Sequence, residues 1–249
     1  MQELQGSIQM ITNSSVLLYI FKGLGFTLVI ALFAVILGIL FGTLFALARN
    51  YCNKGPALIL KWFSIAYIEV FRNTPLMLWL FIGMVFFPSI EVTVKFASFF
   101  GLSRTEMAVL FKAIFALVLF TSSVLAEIIR GGLNSIARGQ FESAYSQGFG
   151  MAGTLMLIVL PQTFRNIVPT LLSQIITTIK DTSYIANIAI AELMGRTFML
   201  IRGSTMYTGL TTQNMSDVFV LCGFACILYF IINFTLSVVV RKIQPKYTY

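Results

Sequence analysis

Histidine is absent from the 249 residues, which excludes imidazole metal sites, Ser-His and Cys-His catalysis and a histidine pH switch. Charge is scarce too, with 10% of residues charged against 58% hydrophobic, where soluble domains carry roughly a quarter charged residues. Together with a mean hydropathy of +0.90, this rules out a soluble globular protein. Only three cysteines occur, Cys52, Cys222 and Cys226, and they form neither a CxxC pair nor a zinc set; they read as small apolar packing residues. No GxxxxGK[ST] loop and no GxGxxG is present, so neither common device for cradling nucleotide phosphates is available. The basic excess, 17 Lys and Arg against nine Asp and Glu, is thinly spread, makes no face that tracks nucleic acid, and reads as membrane topology.

Long apolar runs are what the sequence has in abundance. Residues 24–48 carry no charge and make about 37 Å of helix, enough to cross a hydrocarbon core of about 30 Å. The polar stretch before it, up to Tyr19, lacks the basic segment of a cleaved signal peptide. Ala34, Gly38, Gly42 and Ala46 recur every four residues, leaving one stripe without bulk on which another helix can pack closely. Further spans are expected at about 57–88, 107–130, 166–191 and 218–240, the second a single long helix kinked near Pro75. Residues 143–164 are also uncharged, but their short apolar core, Leu155 to Leu160, ends at Pro161 and suits a buried or interfacial helix. The expectation is an all-α membrane protein, one domain over residues 1–249 with about five transmembrane helices.

With the carboxyl end inside, the cytoplasmic segments hold Arg49, Lys54, Lys61, Arg130, Arg138, Arg165, Arg241, Lys242 and Lys246. The outer segments hold Lys22, Lys95, Arg104, Arg196 and Arg202, so the positive-inside rule favours an external amino terminus and a cytoplasmic carboxyl terminus.

Ionisable residues inside spans are costly, about 2.5 to 3.5 kcal/mol each at the bilayer centre, and therefore point to function. Glu69 and Arg72 share a helix face just before Thr74 and Pro75, as a zwitterion-binding pair at a kink or as an internal ion pair of the bundle. Lys180, Asp181, Thr182 and Ser183 interrupt an apolar span with four polar groups in a row, which favours a substrate path over a polar contact between helices. Glu127 and Arg130, at the end of the third span, read as an ordinary interfacial pair.

One segment is more specific. Glu142-Ser143-Ala144, then Gly148, then Ile158, Leu160 and Pro161, keeps the spacing of an E-A-A, three residues, G, nine residues, I-x-L-P pattern, with Ser143 in place of an alanine. This resembles the EAA cytoplasmic loop of ABC importer permeases. Glu69 to Leu76, Glu127 to Gly132, Gly139-Gln140, Leu160-Pro161-Gln162 and Lys180 to Ser183 extend the resemblance to the polar amino-acid subfamily.

The resemblance implies a type I importer permease fold with cytoplasmic coupling helices at 138–161, where Gly139, Gln140, Glu142, Ser143, Ala144 and Gly148 face an ATPase subunit. It implies a multi-pass protein of a prokaryotic cell membrane that is not itself an enzyme and holds no cofactor, ATP being bound by partner ATP-binding cassette subunits. A second permease copy or paralogue and an external amino-acid binding protein or domain complete the expected assembly. Glu69, Arg72, Thr74, Lys180, Asp181, Thr182 and Ser183 are the expected substrate-binding residues. Glutamine or glutamate is the favoured cargo and a basic amino acid the alternative. A secondary transporter or channel without an ATPase, and a non-transporting sensor subunit, are the rival readings.

Overall fold

The computed structural model describes residues 2–90, 93–99, 102–188, 190–204 and 215–243, and every regular element among them is helical. In chain order these are α1 (Gln2–Thr12), α2 (Ser14–Tyr51), α3 (Ala57–Arg72), α4 (Leu76–Phe86), α5 (Val94–Phe99), α6 (Arg104–Asn134), α7 (Arg138–Ser146) and α8 (Met151–Gly153). A π-helical turn, Thr154–Val159, leads from α8 into α9 (Leu160–Asp181), and a 3-10 helix, Thr182–Ile188, follows it. The last two are α10 (Leu193–Arg202) and α11 (Met215–Ile243). Among the described residues four stretches are long and apolar enough to cross a membrane by length and composition: Ser14–Tyr51, Arg104–Asn134, Met215–Lys242 and one within Met151–Arg202. The pair α3 and α4 makes a fifth if it counts as one broken span.

That pair corrects the expectation of one long helix over 57–88. The two axes are bent by 112°, well beyond a proline kink. Asn73 caps α3 with its N–H on the Glu69 carbonyl, and its side-chain amide donates to the same oxygen at 2.8 Å. The Thr74 hydroxyl takes the Val70 carbonyl at 2.7 Å. The last carbonyls of α3 are therefore satisfied locally, and Pro75 has no N–H with which to resume the ladder, so the helix stops.

Contacts divide the chain into two compact units. The first comprises Met1–Phe33, Met77–Leu117 and Thr177–Thr235. Its apolar core joins Met10, Val16 and Ile20 to Leu193, Leu200, Leu221 and Leu228. Ser7 on α1 donates to the Asp217 carboxylate on α11 at 2.6 Å, a buried polar tie between elements far apart in sequence.

The second unit comprises Ala34–Leu76, Val118–Ile176 and Leu236–Tyr249. Here the small-residue stripe of α2 meets α6. Ala34 and Ala46 are fully buried, and a methyl group added to Gly42 would lie 3.0 Å from both the Ala126 nitrogen and the Ser122 oxygen. The two backbones nearly touch. Lipid is as apolar as leucine, so such close packing, with its dispersion contacts, is what holds helices together there. The core around it gathers Leu125, Ile129 and Leu133 of α6 with Val159, Leu160, Ile167 and Leu171.

Candidate functional site

Polar chemistry in the second unit centres on Glu127. Arg49 Nη1 donates to its Oε1 at 2.6 Å, and Arg130 Nη2 to its Oε2 at 2.8 Å. Arg72 Nη1 stands 3.6 Å from Oε2. Arg49 also reaches Glu69 at 3.2 Å, and the Asn73 amide donates to that second carboxylate at 3.2 Å. Three arginines thus share two glutamates. Arg49 and Arg72 lie in the last turns of their helices, where a cation is favoured by the helix dipole.

Exposure grades across this hub, from 15% for the Glu127 side chain to 41% for Arg72 and 49% for Glu69. Its inner part is structural in character: a carboxylate that is largely removed from solvent and saturated with guanidinium donors fixes the ends of α2, α3 and α6. Its outer part, Arg72, is the most exposed of the three arginines and makes the longest of their contacts to Glu127. Glu69 and Arg72, expected to share a helix face as a pair, have other partners: among the described residues Glu69 has its ion pair with Arg49 and Arg72 with Glu127. Glu127, expected to form an ordinary interfacial pair with Arg130, is instead the centre on which three arginines converge. Only the Arg130 contact, three residues along one helix, carries a local signal; Arg49 is distant in sequence and its pairing had none.

The segment with the E-A-A spacing forms α7, which starts four residues after α6 ends. Ala144 faces inward and is buried, Phe141 sets its ring 6.4 Å from that of Tyr51, and the Gln162 amide donates to Gln140 Oε1 at 3.0 Å. α7 is thereby tied to the end of α2 and to the start of α9. Gly139, Gln140, Glu142 and Ser143 lie on its exposed side. Beyond it the chain turns at Gly148 with φ +84°, a left-handed conformation open mainly to glycine. The Phe149 N–H returns to the Ala144 carbonyl at 3.1 Å and closes the turn. Tyr145, Phe149 and Met151 stay exposed around it, so the loop presents a compact apolar knob ringed by polar groups.

In the first unit the Lys180 to Ser183 run straddles a change of helix type. α9 ends at Asp181 and the 3-10 helix begins at Thr182. The buried Thr182 hydroxyl donates to the Ile179 carbonyl at 2.8 Å, while Lys180 remains exposed. Ser183 lines a cavity of about 450 Å³ together with Tyr184, Asn187, Met194, Phe198 and Tyr229. Tyr229 also turns its hydroxyl to Glu192, which sequence reasoning passed over. Fully buried, the Glu192 carboxylate accepts from the Gly195 N–H at 2.6 Å, from Thr27 at 3.1 Å and from Tyr229 at 3.2 Å. It caps α10 and fastens it to α2 and α11.

Residues 35–249 match the family described as binding-protein-dependent transport system inner membrane component. The chain belongs to that family. It is a membrane permease component with several apolar helices, and is not itself the catalytic subunit of an ABC transporter. It is 34% identical to a probable glutamine ABC transporter permease of Bacillus subtilis (strain 168), over 93% of this chain and 95% of that one. It is likewise 34% identical to a glutamate/aspartate import permease of Escherichia coli O157:H7, over 92% and 93% of the two chains. The fold matches that of a crystal structure of an amino acid ABC transporter with a TM-score of 0.71, 24% identity, and coverage of 96% and 97%.

Proposed function

We propose that this chain is the membrane-spanning subunit of an ATP-driven importer that moves a polar amino acid delivered by an external binding protein or domain. ATP is held by two partner ATP-binding cassette subunits, and the permease works as a pair with a second copy or a paralogue. The observation that carries this reading is the seating of α7: an exposed knob bearing Glu142 and Ser143, tied through Gln140, Phe141 and Ala144 to α9, to α2 and to the interior. A push on that knob by a closing ATPase pair is passed to helices that cross the membrane. Gly139, Gln140, Glu142, Ser143, Ala144 and Gly148 are assigned to this coupling. The carboxyl terminus and α7 are on the cytoplasmic side and the amino terminus is outside, in the membrane of a prokaryotic cell.

The cargo reading rests on both signs of charge being on offer. In the second unit Arg72 offers a cation, Glu69 an anion and Thr74 a hydroxyl, and in the first unit Lys180, Asp181, Thr182 and Ser183 offer the same three kinds of group; all seven are assigned to the cargo. The names of the relatives, glutamine and glutamate/aspartate permeases, support glutamine or glutamate, with a basic amino acid as the alternative. Uptake of labelled glutamine by the reconstituted complex, in competition with glutamate, aspartate, arginine and leucine, tests it. Arg72→Gln should slow uptake about tenfold, the weight of one charge-assisted hydrogen bond. Unchanged uptake by that variant removes Arg72 from the substrate path and leaves it in the hub.

A further inference from the structure

In the first unit α2, α5, α6 and α10 border an open cavity of about 810 Å³ that plays no part in the proposed transport path. Its walls are mainly apolar, with Leu18, Phe26, Val29, Leu102 and Met199 among them, and two cations, Lys22 and Arg196, stand in the lining. Arg196 is 8% exposed. It donates from Nε to the Ala191 carbonyl at 2.8 Å and from Nη1 to the Tyr19 carbonyl at 3.2 Å. Its guanidinium carbon lies 4.4 Å from the centre of the Tyr19 ring and 5.6 Å from that of Phe26.

These contacts orient the group without neutralising it. Among the described residues no carboxylate stands within ion-pairing distance of Arg196. The carboxylate in the same wall, Glu106, attracts Arg196 only from beyond contact distance, its oxygen being held by the Ser103 N–H at 2.7 Å while its own N–H bonds the Ser103 hydroxyl at 3.2 Å. That reciprocal pair is a capping box at the start of α6. A nearly buried guanidinium with no carboxylate in contact among the described residues gains from an anion brought within hydrogen-bond distance.

The rest of the cavity says what kind of anion. Leu18 is 59% exposed and Val29 43% exposed, so the cavity continues onto the apolar outer face of α2, where Leu32 and Phe33 are also exposed. On a membrane-spanning helix that is a face for acyl chains. Lys22 lies two residues before the uncharged stretch 24–48, within snorkelling reach of the headgroup layer at the end of that span. We infer that this cavity binds one anionic phospholipid, with its phosphate between Lys22 and Arg196 and its acyl chains along Phe26 and Val29. The phosphate diester supplies an anion in direct contact with the guanidinium, and the glycerol and acyl part fills an apolar groove that a small soluble anion leaves bare. The inference is independent of which amino acid is carried.

Native mass spectrometry of the full-length chain in a mild neutral detergent tests this, with added phosphatidylglycerol, phosphatidylcholine or inorganic phosphate. One phosphatidylglycerol per chain should bind at least about tenfold more tightly than phosphatidylcholine, since the zwitterionic headgroup carries its own counter-charge. Arg196→Lys should retain most of that preference and Arg196→Gln should abolish it. Lys22→Gln, at an exposed position that the fold does not need, should weaken phosphatidylglycerol binding severalfold and keeps the test alive where Arg196→Gln does not fold. Equal binding of the two lipids, or loss of no preference in Lys22→Gln and Arg196→Gln alike, overturns the proposal. Inorganic phosphate binding as tightly as phosphatidylglycerol overturns it too, because the site is then one for a soluble anion.

Discussion

Arg49 and Glu127 meet at 2.6 Å across 78 residues of sequence, and that contact fastens the end of α2 to α6 one helix before α7 begins. Because Arg130 and Arg72 converge on the same carboxylate, Glu127 carries more of the hub than any of its partners.

Glu127→Gln should therefore destabilise the purified permease much more than Glu69→Gln. Removing the charge of Glu127, the least exposed member of the network, leaves three guanidinium groups uncompensated and costs about 2 kcal/mol even after solvent screening. Glu69 is 49% exposed and pairs with one arginine, a contact of the kind measured at about 0.5 kcal/mol. Thermal unfolding in detergent should show a drop of several degrees for the first variant and about one degree or less for the second. Equal shifts would place the weight of the hub elsewhere.

Gly148 gives a graded test of the turn after α7. Nothing lies within 4 Å of a Cβ built on it, so the constraint is its φ of +84° and not lack of space. A left-handed residue other than glycine costs about 1–2 kcal/mol, less for Asn and more for a β-branched chain. Substrate-stimulated ATP hydrolysis by the assembled complex should fall in the order Gly, Asn, Ala, Val. A Val variant as active as the wild type would show that this turn does not have to hold its shape.

How far the sequence reached depends on whether the signal was local. The stripe from Ala34 to Ala46 announces a close helix contact because small side chains every four residues have few other uses, and Gly42 does sit against the α6 backbone. The spacing from Glu142 to Pro161 marks out α7 and its turn in the same way. Proline alone announces a kink, and the 112° bend needed the further caps from Asn73 and Thr74. Arg196 counts in the sequence as an outer-loop cation, yet it is a buried helix residue laid on Tyr19; the cation–π partner comes from α2 and leaves no mark nearby. Glu192 is silent for the same reason, its hydroxyl partners Thr27 and Tyr229 being supplied by other helices.

Topology is checked with single cysteines in a chain whose Cys52, Cys222 and Cys226 have been replaced. Ser89 and Ser146 are both exposed in the fold, so labelling reports the side of the membrane and not burial. Ser89→Cys should react with an impermeant thiol reagent added outside intact cells, and Ser146→Cys should react only after the membrane is opened. The opposite pattern would invert the proposed orientation and put α7 out of reach of a cytoplasmic ATPase.

The most direct measurement is amino-acid uptake into proteoliposomes holding this permease, its ATPase partner and the external binding protein, with ATP inside or omitted. Uptake should require internal ATP and the ATPase chain, and should be lost in Glu142→Lys, which reverses the charge on the exposed side of α7, while that variant still inserts and folds. Uptake that persists without ATP, or that Glu142→Lys leaves untouched, would contradict an ATP-driven importer coupled through α7 and return the chain to the class of secondary transporters and channels.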